Sequence, residues 1–167
     1  EALAVLGDSS AGEMCARSIH DPDPGVVEQT AYAVGRLGYE QINGELVGML
    51  GHENLWVVMR SCEALGRLGA DEAVEPIAKL LTHEERMMRV KAAEALARIG
   101  TDEAAMELEK VLGSDDPYLK DLALRGIAVS GRSRSFDTVL PLLRDRSLMV
   151  RRSAIEAAVS TDPGKAR

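Results

Sequence analysis

Five glycines recur at a constant spacing of 31 residues, at Gly7, Gly38, Gly69, Gly100 and Gly131. The segment before them also repeats, as GRLG at 35–38 and 66–69 and as ARIG at 97–100. A fixed period of this length is typical of solenoid proteins, whose units bury their apolar faces only by stacking on one another. The period therefore predicts a row of similar stacked units and argues against a fold with one closed core.

Each unit contains two helical patterns, called here its first helix and its second helix. In the best copy the first helix runs from about Asn54 to Leu68, with apolar or small residues three or four positions apart. It ends at Gly69, because glycine can adopt the left-handed conformation that closes a helix. The second helix is expected to start at Asp71, whose carboxylate can cap free backbone N–H groups, and to run to about Thr82.

The same register assigns residues of every copy to columns, and the apolar and small columns are expected to form the core. These columns are Val26, Val57, Met88, Leu119 and Val150; Ala33, Ala64, Ala95, Gly126 and Ala157; Val34, Leu65, Leu96 and Ile127; Gly35, Gly66, Ala97 and Ala128; Leu46, Ile77, Leu108 and Val139; and Leu50, Leu81, Leu112 and Leu143.

Composition agrees with this interpretation. The hydrophobic fraction is 46% while aromatic residues make up only 3%, as expected for closely packed helices rather than strands. No apolar run approaches the length of a membrane span. Cys15 and Cys62 form no CxxC pair and no disulfide framework, which suits a reducing compartment, so we expect a cytoplasmic protein.

The pattern resembles HEAT repeats, specifically the short type found in phycobilisome lyases. The residues that carry the resemblance are DPDPGVVEQTAYAVGRLG (21–38), VVMRSCEALGRLGADEAVEPIAKLL (57–81) and RVKAAEALARIGTDEAAMELEKVL (89–112). It covers essentially the whole chain and implies an all-α, right-handed α-solenoid of about eleven helices. Arg89, Lys120 and Arg151 match the base of the family's Val-Arg pair, whereas Val27 and Val58 replace it.

We interpret residues 1–167 as one repeat domain with the units 1–20, 21–51, 52–82, 83–113, 114–144 and 145–167. The first and last units each match part of the pattern, and polar capping units are not evident. We therefore expect a piece of a longer protein or a chain that a partner completes.

The resemblance brings one catalytic possibility, because HEAT-type deoxyhypusine hydroxylases bind a diiron centre with recurring His-Glu pairs. His52-Glu53 and His83-Glu84 are likewise 31 residues apart. The family's pairs, however, lie inside the first helix, whereas these lie between units. We therefore expect solvated junction residues, no metal site and no cofactor.

No other pattern indicates catalysis. Both cysteines fall on core columns, where a thiol behaves as a small apolar group. There is no Ser-His-Asp order, phosphate-binding glycine loop or HExxH motif. The sequence therefore favours a protein without catalytic residues of its own.

Two surfaces are candidates for binding another protein. The column Gly25, Trp56, Met87, Tyr118 and Met149 either staples each unit onto the next or forms an exposed apolar ridge. The second helices generally line the concave face in HEAT-like arrays, and the columns exposed there vary in chemistry from unit to unit. The partner-binding residues we predict are Gln41, Glu72, Glu75, Lys79, Glu103, Met106, Lys110, Arg134, Trp56 and Tyr118.

Charge distribution adds a further possibility. The net charge of −7 divides into 20 acidic and 10 basic residues over 1–114, and 7 acidic and 10 basic over 115–167. The basic end contains Arg125, Arg132, Arg134, Arg144, Arg146, Arg151 and Arg152. An acidic chain with few aromatics is a poor general nucleic-acid binder, and these arginines could equally pair with an acidic neighbour.

The leading hypothesis is thus a non-catalytic interaction scaffold or regulatory domain that binds a protein or another domain. The alternative is a bilin-lyase-like or other enzyme-associated subunit, and nucleic-acid binding by the C-terminal arginines is less favoured. We expect neither a membrane nor a small molecule as partner.

Overall fold

The structure is a computed structural model that describes residues 9–162 and Gly164. This part of the chain is an all-α solenoid of ten α-helices without strands. The helices are α1 (Ser9–Ala16), α2 (Pro24–Leu37), α3 (Asn43–Met49), α4 (Leu55–Leu68), α5 (Val74–Lys79), α6 (Arg86–Ile99), α7 (Asp102–Glu109), α8 (Pro117–Ser130), α9 (Phe136–Val139) and α10 (Leu148–Thr161). The remaining helix and Gly7 of the sequence prediction fall on residues 1–8, outside the described residues.

The first helices confirm the period. Helices α2, α4, α6, α8 and α10 each contain 14 residues and begin 31 residues apart. The glycines that follow α2, α4, α6 and α8 have φ values of 69°, 65°, 70° and 62°. Each glycine also donates its N–H to the carbonyl four residues earlier. This is the left-handed helix closure expected from the sequence.

The second helices are shorter and are extended by single 3₁₀ turns. These turns are Glu40–Ile42, Asp71–Ala73, Leu80–Thr82, Ser133–Ser135 and Leu140–Arg144. The helical segment from Asp71 to Thr82 therefore has the predicted length, although α5 itself covers only its centre.

The predicted cap at Asp71 is wrong. A capping residue precedes the helix with an extended backbone, and Ala70 occupies that position, without a side chain that could cap. In the next unit Thr101 occupies it, and its hydroxyl accepts a hydrogen bond from the Ala104 N–H at 3.3 Å. Asp71 and Asp102 lie inside the first turn, where a carboxylate still interacts favourably with the helix dipole.

The core follows the predicted columns. Val34, Leu65, Leu96 and Ile127 are fully buried, and so are Leu46, Ile77, Leu108 and Val139. One exception is Val26, which is 38% exposed. Its counterpart Val57 lies between the first helices of two neighbouring units, whereas α2 is the first described helix of its row and has a described neighbour on one side only.

Adjacent first helices approach to backbone contact. A Cβ built on Gly35 would lie 2.7 Å from Ala64 Cα, and one built on Gly66 would lie 2.7 Å from Ala95 Cα. At the α6–α8 interface the alanine lies on the earlier helix and the glycine on the later one, since a Cβ on Gly126 would lie 2.9 Å from Ala97 Cα. ARIG can therefore replace GRLG at 97–100, because Gly126 on the facing helix leaves room for the Ala97 side chain.

Candidate interaction surface

The two rows of helices pack differently. Consecutive first helices are in contact over much of their length, whereas consecutive second helices contact each other far less. A Cβ built on Gly44 or Gly48 of α3 would meet nothing within 4 Å. The first helices therefore form the more closely packed row. The expectation that the second helices line the concave face stays a prediction.

The first-helix row presents an exposed apolar column. Trp56 is 62% exposed, Met87 54%, Tyr118 38% and Met149 36%. Their neighbours Val57, Met88, Leu119 and Val150 are buried. The column, called here the apolar column, is therefore an exposed ridge at the N-terminal ends of the helices rather than a set of buried staples.

Beside the apolar column lies a network of ion pairs on the same face. The guanidinium of Arg60 is 3.1 Å from Glu28 and 3.2 Å from Glu63, and lies 5.0 Å from the centre of the Tyr32 ring. Glu63 also pairs with Arg67 at 2.9 Å. Partial burial opposes ionisation of Glu63, but hydrogen bonds from Arg67 and Arg60 outweigh it, so the pKa of this carboxyl is lowered. The charged side chains of this face are thus held in fixed positions.

The rows also differ in charge. The five first helices contain 11 basic and 5 acidic side chains, whereas the second-helix segments 40–49, 71–82, 102–110 and 133–144 contain 4 basic and 10 acidic ones. The first-helix row is therefore basic and the second-helix row is acidic.

The residues predicted on the second helices are only partly brought together. Glu103, Met106 and Arg134 line one cavity of about 570 Å³, together with Asp102 and Arg132. The others, Gln41, Glu72, Glu75, Lys79 and Lys110, are exposed outside it. Four of those have partners within the chain: Glu72 accepts from Asn43 at 2.9 Å, Lys79 and Glu75 pair with each other at 3.3 Å, and Lys110 lies 2.6 Å from Glu107.

A polar column between units was missed by the sequence analysis. Its side chains each accept a hydrogen bond from the backbone N–H two residues later, at 2.8–3.1 Å; they are Asp21, His52, His83, Ser114 and Asp145. The signal was present as a polar residue always two positions before the helix cap, but the residue types differ. This column closes every described junction with the same turn.

Comparisons with known proteins agree with this geometry. A family described as HEAT repeats matches residues 45–118. This central segment of the chain therefore consists of HEAT repeats. No curated protein matches the chain.

Solved structures confirm the expected α-solenoid fold. The chain is similar to a chain of the CpcE–CpcF complex of phycocyanin lyase from Nostoc sp. PCC7120, with 19% identity and a TM-score of 0.77. The match covers 90% of this chain and 64% of the lyase chain, so this chain spans less than two thirds of that protein.

Two further structures are similar. Human deoxyhypusine hydroxylase in complex with glycerol has 20% identity and a TM-score of 0.62, with 96% of this chain and 65% of that chain covered. A designed armadillo repeat protein in complex with the peptide (KR)4 has 17% identity and a TM-score of 0.72, with 89% and 80% covered. At these identities the likeness shows the fold alone.

The His-Glu pairs of this chain lie at the junctions between units, as expected. His52 Nδ1 accepts from the Asn54 N–H at 2.9 Å, and His83 Nδ1 accepts from the Glu85 N–H at 3.0 Å. Their rings therefore shape the backbone and are not simply solvated. Across residues 9–162 and 164, no group of three or more His, Cys, Asp or Glu side chains is arranged to hold a metal ion.

The cysteines differ from each other. Cys62 is completely buried, its Sγ donates to the Lys91 carbonyl at 3.5 Å, and burial raises the pKa of its thiol to about 12. The expectation of a core residue is confirmed for Cys62. Cys15 is half-buried and lines a groove between α1 and α2, so its core assignment is only partly correct.

Several C-terminal arginines are already engaged within the repeat. Arg132 lies 3.0 Å from Glu109, and Arg151 donates to the carbonyls of Asp145 and Arg146 at 2.9 and 3.1 Å. Arg125 lies 2.9 Å from the buried carboxylate of Asp121. Not all of these charges are therefore available to a polyanion. Among the described helices, none is long and apolar enough to cross a membrane.

Proposed function

We propose that this chain is a non-catalytic interaction domain that binds a protein partner on the exposed face of its first-helix row. One observation carries the proposal: the apolar column crosses four consecutive units, with Trp56, Met87, Tyr118 and Met149 all at least 36% exposed. Regularly spaced apolar side chains of this size on a surface are typical of protein-binding sites.

The surroundings of the apolar column support a specific kind of partner. Adjacent packed helices are about 8–10 Å apart, so a partner helix lying across the row would contact each successive unit after about five to seven residues. The row is basic, and its charges around Arg60 and Glu63 are fixed by ion pairs. An amphipathic segment with apolar residues at this spacing and acidic flanks would match both features.

The acidic second-helix side is a second candidate surface. The residues proposed there are Gln41, Glu72, Glu75, Lys79, Glu103, Met106, Lys110 and Arg134. The similar armadillo protein is in complex with a basic peptide, and an acidic face would favour such a segment in this chain too. We rank this surface below the apolar column because its exposed side chains do not form a continuous apolar surface.

Matched variants of the full chain can separate the two surfaces. One variant combines Trp56→Ala, Met87→Ala and Tyr118→Ala, and the other combines Glu72→Lys and Glu103→Lys. All five side chains are exposed, so both variants should fold. Partners captured by the wild-type chain are quantified by mass spectrometry against both.

The proposal expects the first variant to lose its specific partners and the second to retain them. The reverse result would assign binding to the second-helix side. Retention of all partners by both variants would contradict an interaction site on either face.

An enzyme-associated role is the alternative function, because the fold matches a lyase subunit. Incubation of the chain with a bilin and a bilin-free acceptor protein tests it, and a covalent coloured adduct would support it. We propose a cytoplasmic setting from the cysteine usage alone.

A further inference from the structure

One pair of positions recurs at the interfaces between neighbouring first helices. Its first residue belongs to the earlier helix, and its second residue lies 32 positions later, on the following helix. At the α2–α4 interface this pair is an ion pair, in which Arg60 Nε donates to Glu28 at 3.1 Å. The other pairs of positions are Met59 with Lys91, Val90 with Leu122, and Asp121 with Ser153.

At the α8–α10 interface the pair consists of two short polar side chains. Asp121 is completely buried, and its Oδ1 accepts a hydrogen bond from the Ser153 hydroxyl. Its other oxygen, Oδ2, lies 2.9 Å from the guanidinium of Arg125 but makes no hydrogen bond among the described residues. This interface therefore contains a buried carboxylate, and Ser153 occupies the position at which the α2–α4 interface has Arg60.

A cavity of about 650 Å³ lies at this interface. Its lining includes the buried Asp121 and Ser153, and Met149 of the apolar column. Three exposed charged side chains also line it: Arg125, Arg152 and Glu156. Salt screens exposed charges, whereas it screens a buried charge much less. The Asp121 carboxylate therefore acts most strongly on a charged group that enters the cavity.

We propose that this cavity binds an arginine side chain of the protein partner. The guanidinium takes the place that Arg60 has at the α2–α4 interface and donates to the Asp121 carboxylate. The apolar stem of the arginine packs against Met149. Arg125 gives up its contact with Asp121 and turns to Glu156, because its side chain is 59% exposed and the two residues also line a second cavity together.

This inference rests on the proposed function, because Met149 belongs to the apolar column. The column presents similar apolar side chains at the same spacing in four units, so apolar contacts alone would let a partner shift by one unit. A single buried polar group can fix the register of such an interface. The partner's arginine therefore determines which of its residues meets which unit.

The cavity can be tested without the partner. N-propylguanidine, which reproduces the end of an arginine side chain, is titrated into the full chain while the chemical shifts of Met149 and Ser153 are followed by nuclear magnetic resonance. We expect saturable binding with a dissociation constant on the order of 1 mM, as is reasonable for so small a ligand. No saturable change up to about 50 mM would overturn the proposal.

Two variants and a control locate the bound probe. Ser153→Arg supplies a guanidinium from within the chain, as Arg60 does, and should prevent binding of the probe. Asp121→Asn keeps the shape of the side chain and should weaken binding about tenfold or more, because the charge is lost. Asp137→Asn removes an exposed carboxylate of α9 instead and should leave binding unchanged. Binding that Asp121→Asn does not weaken would contradict the proposed site.

Capture of partners then separates this inference from the proposed function. Ser153→Arg and Asp121→Asn should each lower the capture of specific partners about tenfold or more. If both variants retain the partners that the Trp56→Ala/Met87→Ala/Tyr118→Ala variant loses, the arginine site is refuted and the proposed function stands. If the triple variant retains its partners, the proposed function fails, whatever the probe shows.

Discussion

The backbone contact between α4 and α6 predicts that Gly66→Ala lowers the free energy of unfolding. The added Cβ would lie 2.7 Å from Ala95 Cα, 3.0 Å from its Cβ and 3.2 Å from its carbonyl oxygen. Carbon atoms in favourable contact are about 3.5–4.0 Å apart, so the helices must separate by several tenths of an ångström or more. Overpacking of this kind costs about 1–3 kcal/mol, while alanine improves helix propensity by about 0.5–1 kcal/mol. We expect a net loss of about 1–2 kcal/mol in the free energy of unfolding.

Two further variants isolate the cause. Gly48→Ala adds the same methyl group to a helix where nothing lies within 4 Å, and should stabilise the protein by about 0.5–1 kcal/mol. The double variant Gly66→Ala/Ala95→Gly recreates the arrangement of Ala97 and Gly126 at the next interface. It should be more stable than the sum of its two single changes by about 1 kcal/mol or more.

The assay is urea unfolding followed by circular dichroism, with stability taken from the midpoint and slope of each curve. Additive single changes would show that the two residues do not share a contact. A Gly66→Ala variant as stable as Gly48→Ala would refute the close approach itself.

Three other predictions concern single side chains. The buried Ser61 hydroxyl has no hydrogen-bond partner among the described residues, and the next unit has Ala92 at the same position. Ser61→Ala should therefore raise the free energy of unfolding by about 1 kcal/mol in the same urea assay. A decrease of that size would contradict this. Under native conditions iodoacetamide should alkylate the half-buried Cys15 but not the buried Cys62. Equal alkylation rates for the two cysteines, measured by mass spectrometry, would argue against the packing of α4. The hydrogen bond from Arg86 lowers the pKa of the Asp116 carboxyl, so its stabilising effect is full above the unfolded-state pKa of about 4 and is lost as the pH falls through the folded-state value. Asp116 also caps α8, because its carboxylate accepts hydrogen bonds from the N–H groups of Tyr118 and Leu119, and asparagine can still cap a helix. Asp116→Asn should therefore be less stable than wild type at neutral pH and about equally stable in strong acid, as measured by urea unfolding. A difference in stability that persists in acid would show that the loss comes from weaker capping instead.

The fold could be predicted because its signals are local and repeated. Gly38 and Gly69 mark helix ends in each copy, and the apolar columns follow the helical period throughout. The cap at Asp71 was misplaced by one residue, because Ala70 holds the extended conformation without a side chain that reveals it.

The surfaces were less predictable because they depend on how units stack. How closely the first helices pack is decided by approaches such as that of Gly66 to Ala95, between residues of different units. Burial of Asp121 likewise depends on α10, whose Ser153 hydroxyl donates to it. The exposure of Trp56 could not be predicted either, since the sequence shows the apolar column but not whether other residues cover it.

The central claim is that the helices α2, α4, α6 and α8 meet one another in order, backbone to backbone, through one glycine–alanine pair per interface. Nuclear Overhauser effects in the full chain measure this directly, as contacts between the Gly35 and Ala64, Gly66 and Ala95, and Gly126 and Ala97 protons. The account predicts strong cross-peaks for all three pairs, each joining residues 29 positions apart. Absence of these cross-peaks in a folded sample would contradict it.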